Sequence, residues 1–452
     1  MNKQTKFKQT TIGMIPEDWE TDTLGNHTKL IKGISYRSED YCSKDEGFIF
    51  INLKSVARNG GFREEGIKYY KGELSEDQFV NSGDILIANT DLTQNREIIG
   101  SPLKVPNFKN GRKMCISLDL SKLDVTSKKL NSDFLYYFLM SPRARHFMVA
   151  NGNGTTVVHL STKNVPNMII PLPSIEEQKK VAKILSDLDL KIELNQRMNK
   201  TLEAIAQAIF KHWFVDFEFP NENGEPYKSS GGKMVDSKMG LIPNEWRFEK
   251  LGNLLSEVVT GNRPKGGVSK FKEGIPSIGA ENINGLCNYN FSKTKYIPEL
   301  YFSNMKKGIV KNGDILLYKD GANLGRKSMF LENFPFKKCC VNSHVFILRS
   351  NSLMRQSYLY FYLDQKFMTK NIINLNTNSA QPGINSTSVK TLKILLPSER
   401  ILNLFDELVF PILRIIFNNA KENKYLSDMR DALLPKLISG EIRVLINKEG
   451  DE

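Results

Sequence analysis

No run of about 18 apolar residues, the length that a membrane-crossing helix demands, occurs anywhere in this chain. The most apolar stretch, residues 404–417, carries Asp406, Glu407 and Arg414, which marks an amphipathic helix rather than a bilayer span. The first ten residues are polar, with no apolar stretch after their lysines, and do not read as a secretory signal. Cysteine is scarce: the five present (Cys42, Cys115, Cys287, Cys339 and Cys340) form neither a CxxC pair nor an even framework. A chain of 452 residues needs no disulfide stapling, and a reducing cytoplasm is the expected setting.

Catalytic signatures are missing as well. There is no Gly-rich loop ending in Gly-Lys-Ser/Thr to cradle a triphosphate, no His-Glu-x-x-His and no Gly-rich dinucleotide turn after a strand. No Asn-Pro-Pro-Tyr or Asp-Pro-Pro-Tyr marks an amino-methyltransferase pocket. The five histidines (His27, His146, His159, His212 and His344) lack metal-ligand spacing, so core or surface roles are expected and no metal site is assigned. Asp84 and Asp314 both follow glycine in a Gly-Asp-Ile-Leu step, where an aspartate typically shapes the turn into a strand.

What the chain does have is itself, twice. GMIPEDWETDTLGN at residues 13–26 returns as GLIPNEWRFEKLGN at 240–253, with seven identities in fourteen positions, among them Trp19 and Trp246. VNSGDILI (80–87) answers VKNGDILL (310–317), DFLYYFL (133–139) answers SYLYFYL (357–363), and LSTKNVPNMIIPLPS (160–174) answers INSTSVKTLKILLPS (384–398). The offsets stay between 224 and 230, so the copies differ by short loop insertions. A period this long means duplicated domains; solenoid units run to about 20–50 residues. The net charge of +13 points to a polyanionic partner, because surplus Lys and Arg draw in phosphates.

Each copy closes on a Pro-Ser step followed by a helical pattern. Ser174 with Glu177 predicts a capping box. From there Val181, Leu185, Leu188, Ile192, Asn195, Asn199, Leu202, Ala206, Ile209 and Trp213 alternate by four and three, a heptad seam. The second copy places Phe405, Val409, Ile412, Ile416, Asn419, Asn423, Leu426, Arg430 and Leu433 on the same stripe. Asn195, Asn199, Asn419 and Asn423 are expected either to pin the register or to lie on a partly wet seam. Pro411 is expected to delay the distal seam until after residue 411. Residues 221–239 have the Gly, Ser, Pro and charged content of a flexible linker.

FIFINL (48–53), GDILIA (83–88), GDILLY (313–318) and VFILRS (345–350) read as strands, and the aromatic DFLYYFLM and SYLYFYLD as helices facing a core. The expected fold class is therefore α+β, with two duplicated globular domains joined by two long helices in an antiparallel, pseudo-two-fold coiled coil. The expected boundaries are 1–173, a helix over 174–220, a linker over 221–239, a second domain over 240–397, a helix over 398–440 and a tail over 441–452.

The twin IPxxW…LG openings, PLPSIEEQKKVAKIL, KHWFVDFEFP and RDALLPKLISGEIRV (430–444) resemble the DNA-specificity subunits of type I restriction-modification enzymes over essentially the whole chain. The resemblance implies two target recognition domains that each read half of a bipartite site in double-stranded DNA, and helices that dock two methylation subunits. It also implies restriction subunits as partners, no membrane, and no catalytic residues here, with S-adenosylmethionine, ATP and Mg belonging to the partners. The alternative is a stand-alone DNA-binding or scaffold protein.

Bases are read by Arg, Lys, Asn and Gln at groove edges. Loops rich in these residues are Lys32 to Arg37, Asn89 to Arg96 and Asn151 to His159, then Gly261 to Lys265, Lys319 to Arg326 and Asn376 to Gln381. The candidates for DNA contact are Arg37, Gln94, Asn95, Arg96, Arg263, Lys265, Asn323 and Arg326. Trp213, Phe214 and Phe217, at the end of the first long helix, are candidates for docking a methylation subunit or for packing on the chain's own second domain.

Overall fold

The computed structural model describes residues 5–44, 46–108, 111–237, 240–376 and 382–444. The chain divides into two compact units, Met1–Leu190 with Leu426–Glu452, and Lys191–Tyr425. Each unit gathers one globular part with a segment of both long helices, so the division falls inside the helices rather than at the ends of the repeat.

In the first unit an antiparallel sheet runs in the order Pro102–Lys104, Ile85–Ala88, Leu120–Val125, Thr28–Lys32. In the second unit the same order recurs as Lys327–Met329, Ile315–Tyr318, Val345–Ser350, Leu255–Thr260. The Gly-Asp-Ile-Leu steps enter the central strand of each through a turn closed by the aspartate. Asn81 N–H donates to Asp84 Oδ2 at 2.8 Å, and Lys311 N–H donates to Asp314 Oδ2 at 2.7 Å. Each carboxylate also meets a cation, Lys122 at 2.9 Å and Arg349 at 2.7 Å.

A second sheet in each unit combines antiparallel and parallel pairs: Lys68–Tyr70, Phe48–Ile51, Met114–Ile116 and Phe79–Val80 in the first, and Lys295–Ile297, Ile275–Ile278 and Cys340–Val341 in the second. The aromatic helices lie where expected, at Ser132–Met140 and Gln356–Asp364, and bury Phe134, Phe138, Tyr358 and Phe361 almost completely.

The segment expected to be a flexible linker is folded over its described residues. Phe219 stacks on Tyr227 with centroids 4.5 Å apart and on Trp246 at 4.7 Å, and Met234–Ser237 pairs with Gly240–Pro243 as a hairpin. This hairpin answers Phe7–Thr10 with Gly13–Pro16 at the start of the first copy, down to a hydroxyl that donates across the turn: Thr10 to the Gly13 carbonyl at 2.7 Å, and Ser237 to the Gly240 carbonyl at 2.5 Å. Aromatic stacking and cross-strand bonds order a sequence whose composition alone suggests mobility.

The central helix spans Ile175–Phe214 and the distal helix Glu399–Ser439. Pro411 neither ends the distal helix nor delays its seam: Phe405 and Val409 before it are as fully buried as Leu413 after it. The proline sits on the exposed face, so water satisfies the carbonyl that loses its partner and the loss is small beside the burial.

Within the second unit, Asn195 Nδ2 donates to Asn423 Oδ1 at 3.0 Å and to Glu422 at 2.7 Å, while Asn419 Nδ2 donates to Asn199 Oδ1 at 2.8 Å and Asn199 Nδ2 to the Ile416 carbonyl at 3.0 Å. As the residue number rises on one helix it falls on the other, so the pair is antiparallel. The first asparagine of each helix meets the second of the other.

The capping box is only half made. Ser174 Oγ accepts from Glu177 N–H at 3.3 Å, but the Glu177 carboxylate turns into the first unit, 2 % exposed, and accepts from Trp19 Nε1 at 3.1 Å and Arg443 Nε at 2.7 Å. A guanidinium outcompetes one backbone N–H for that carboxylate.

Candidate nucleic-acid interface

In the second unit three loops meet at an open cleft of about 570 Å³. The first follows strand Leu255–Thr260 and begins at Gly261, where a Cβ would lie 1.6 Å from the Val341 carbonyl oxygen; only glycine lets the chain pass there. Arg263 comes two residues later and lines the cleft. The second loop joins Ile315–Tyr318 to Lys327–Met329 and is closed by Tyr318 N–H to Arg326 C=O at 2.8 Å, which leaves Asn323 and Arg326 at the rim. The third is the turn before Val345, held by His344 N–H to Asn342 Oδ1 at 2.8 Å.

Cations dominate the lining: Arg263, Lys293, Lys295 and Arg326, with His344 beside them and only Glu281 and Asp320 opposing. Burial pushes the Glu281 carboxyl up, but the Lys295 ammonium 2.6 Å away and the charge of Arg263 outweigh it and hold the group below its usual range. Glu281 is thus ionised and offsets part of the positive field. Arg326 Nη1 donates to Asn284 Oδ1 at 2.8 Å, which fixes the guanidinium, and the buried Nε of Arg263 has no partner among the described residues. Oriented guanidinium donors suit phosphate oxygens and guanine edges, and an amide such as that of Asn323 suits adenine.

Three of the four second-copy candidates, Arg263, Asn323 and Arg326, share this cleft, whereas Lys265 is exposed and outside its lining. Sequence reasoning missed Lys293, Lys295, Asn284 and His344. The Lys-Thr-Lys step at 293–295 was a usable signal, but only folding brings it to Arg263. Of the loop Asn376 to Gln381, residues 377–381 lie outside the described residues.

In the first unit Gly33 repeats the close approach, its Cβ position 2.1 Å from the Ser117 carbonyl oxygen. Arg37 extends into solvent and pairs with Glu39 at 3.2 Å. Gln94 and Asn95 are exposed at the tip of a loop braced from beneath by Asp91, a fully buried aspartate absent from the candidates. Its oxygens accept from Thr93 N–H at 2.6 Å, Ile98 N–H at 2.6 Å and Ile99 N–H at 2.7 Å. Arg96, at φ +53°, already donates weakly to the carbonyls of Val149 and Gly154, both at 3.4 Å. Part of its guanidinium is therefore engaged within the protein.

Of the docking candidates at the end of the central helix, Phe214 belongs to the core of the second unit, and Trp213 and Phe217 are half-buried against it. Phe214 is buried against Tyr358 (4.7 Å between centroids) and Phe405 (4.9 Å), Trp213 packs on Phe405 at 6.1 Å and Phe217 on Trp246 at 5.8 Å. Aromatic burial within the chain's own domain accounts for them. Among the described residues no group of His, Cys, Asp and Glu is placed to hold a metal ion, and no helix is long and apolar enough to cross a membrane.

Residues 16–204 and 243–423 each match the family model described as the type I restriction modification DNA specificity domain. The type I restriction enzyme MjaIX specificity subunit of Methanocaldococcus jannaschii is 27 % identical, with 98 % of this chain and 97 % of that protein covered. The HindI specificity subunit of Haemophilus influenzae is 23 % identical, with 94 % and 100 % covered. A crystal structure of a type I restriction-modification S subunit from M. genitalium superposes with a TM-score of 0.58 at 16 % identity, covering 96 % of this chain and 99 % of that one, a likeness of fold. With a duplicated unit and both copies of the domain accounted for, this chain belongs to the type I restriction-modification DNA specificity family.

Proposed function

We propose that this chain is the non-catalytic DNA-reading subunit of a type I restriction-modification complex, each unit recognising one half of a split target in double-stranded DNA. The observation that carries this reading is the double match to a DNA specificity domain, joined to a second-unit cleft lined by Arg263, Lys293, Lys295 and Arg326. Arg37, Gln94 and Asn95 are the corresponding exposed donors of the first unit.

Methyl transfer and cleavage then reside in methylation and restriction subunits, which bring S-adenosylmethionine, ATP and Mg, and the complex works in the cytoplasm, where its DNA is. In place of Phe214, which is buried, and Trp213 and Phe217, which are half-buried against the second unit's core, we assign docking of a methylation subunit to Leu194, Met198 and Ile205. They share one face of the central helix in the second unit and expose 52, 40 and 44 % of their surface.

Co-expression with its methylation subunit, followed by mapping of methylated adenines in genomic DNA by single-molecule sequencing, tests the reading. One split motif with a fixed gap is expected. A stable complex that methylates no defined motif overturns it in favour of a scaffold.

A further inference from the structure

The same main-chain bonds recur in both units at the edge of the candidate interface. Asn89 N–H donates to the Asp119 carbonyl at 2.7 Å, and Lys319 N–H donates to the His344 carbonyl at 3.1 Å. Leu160 N–H returns to the Asn89 carbonyl at 2.8 Å, and Ile384 N–H to the Lys319 carbonyl at 3.0 Å. Thr90 bridges His159, as Asp320 bridges Gly383. Gly33 and Gly261 press on the same strand end in their respective units. By these bonds Asp119 matches His344, and Thr90 matches Asp320.

The backbone is the same but the side chains are exchanged. In the first unit the carboxylate is on the turn, and Asp119 Oδ1 accepts from the Thr90 hydroxyl at 2.9 Å. In the second the carboxylate is on the neighbouring loop, and Asp320 Oδ2 meets His344 Nδ1 at 3.3 Å. The scaffold requires neither pair, since main-chain bonds already hold both loops in the same form.

Both turn residues are partly exposed, and both adjoin candidate DNA contacts. His344 lines the cleft with Arg263 and Arg326. Asp119 sits on a turn bonded to the segment that leads into Arg37, Leu118 N–H donating to the Ile34 carbonyl at 2.8 Å, and the Tyr36 hydroxyl is pushed up by burial first, then by Tyr41 and by the charge of Asp119.

Resting on the DNA-reading function above, we propose that Asp119 and His344 are matched base-reading residues, and that their exchange makes the two half-sites differ at one position. An ionised carboxylate only accepts hydrogen bonds. In the major groove only cytosine N4 and adenine N6 present a donor, so Asp119 selects an amino-bearing base at its position. His344, with Nδ1 committed to Asp320, offers Nε2 and reads a different edge.

The test uses the chain co-expressed with its methylation subunit and the methylated motif as readout. Asp119→Asn adds a donor beside the acceptor, and the first half-site is expected to lose discrimination at one base by roughly fivefold to a hundredfold, with the second half-site unchanged. The double variant Asp320→Thr with His344→Asp transplants the first unit's pair into the second. It is expected to shift one base of the second half-site to cytosine or adenine and leave the first alone. Thermal midpoints and co-purification of the methylation subunit confirm that each variant is folded and assembled. A folded, assembled Asp119→Asn complex that writes the native motif unchanged overturns the assignment. Absence of any motif from the native complex instead sinks the DNA-reading function, and this proposal with it.

Discussion

Replacing Arg443 by Met is expected to be among the costlier single changes in the first unit, and the structure says roughly by how much. The guanidinium spans two carboxylates. It donates to Asp18 at 2.9 and 2.8 Å, and to Glu177 at 2.7 and 3.0 Å. The Asp18 side chain is 63 % exposed, so that arm contributes at most about 1 kcal/mol. The Glu177 side chain is 3 % exposed and keeps only the Trp19 indole, 3.1 Å away, when the arginine is gone. Leaving one member of a buried pair costs about 3–5 kcal/mol; Arg443 is itself a quarter exposed, which puts the expectation near the lower end, about 3 kcal/mol. At about 2–4 °C per kcal/mol for a unit of this size, its unfolding midpoint drops by about 6–12 °C.

The diagnostic is the second mutation. Glu177→Gln removes the stranded charge while its carbonyl oxygen still accepts from Trp19, so in the Arg443→Met background it is expected to restore about 2 kcal/mol. Thermal unfolding followed by tryptophan emission reads both variants, since Trp19 is 1 % exposed. An Arg443→Met midpoint within a degree or so of native, or a double variant less stable than the single, refutes the reasoning. The Asp18–Arg443 pair sets an acid limit. Hydrogen bonding to Arg443 holds the Asp18 carboxyl below its ordinary value of 3.8, although burial opposes it. Between the two values the unfolded chain binds the extra proton, so this stability is present above about pH 4 and disappears as pH falls through the lowered value. Arg443→Met is expected to remove that part of the acid sensitivity.

Two further outcomes are expected. Asn199→Leu strands the Asn419 amide in the seam and lowers stability by about 1–3 kcal/mol, whereas adding Asn419→Leu recovers most of it at the expense of register; thermal unfolding measures the first effect and loss of a single fixed gap in the methylated motif the second. Maleimide at neutral pH is expected to label Cys42 alone in the native chain, because burial pushes the Cys115 thiol up to about 12 and the Cys340 thiol up to about 11, and raises Cys287 and Cys339 as well; prompt labelling of Cys115 by mass spectrometry contradicts this.

The parts of this fold that were legible in the sequence are those fixed by local pattern. The strand-entry aspartates, the aromatic helices and the asparagines of the seam all depend on spacing along one element, and the structure places each where its spacing puts it. Three readings failed for one physical reason, that tertiary packing overrode a local rule. Glu177 has capping-box spacing, but Arg443 and Trp19 claim its carboxylate. Pro411 has a helix-breaking side chain, but it sits on the wet face of a helix pinned by Phe405, Val409 and Leu413. Residues 221–237 have a linker's composition, but Phe219, Tyr227 and Trp246 stack.

Trp246 shows why even the strongest repeat does not carry its contacts with it. Trp19 and Trp246 occupy identical motifs, yet the position matching Glu177 in the second copy is Ile401, a buried apolar residue. Without a carboxylate to accept its N–H, the second tryptophan is held by ring stacking instead. The interface follows the same logic at higher stakes. Arg263, Lys293, Arg326 and His344 come from four separate segments, and duplication preserves the backbone bonds that bring such segments together while leaving the side chains free to differ. A sequence comparison of the two copies finds the first and discards the second as loop drift, although a protein that reads two unlike half-sites with one scaffold must place its specificity in those unmatched side chains.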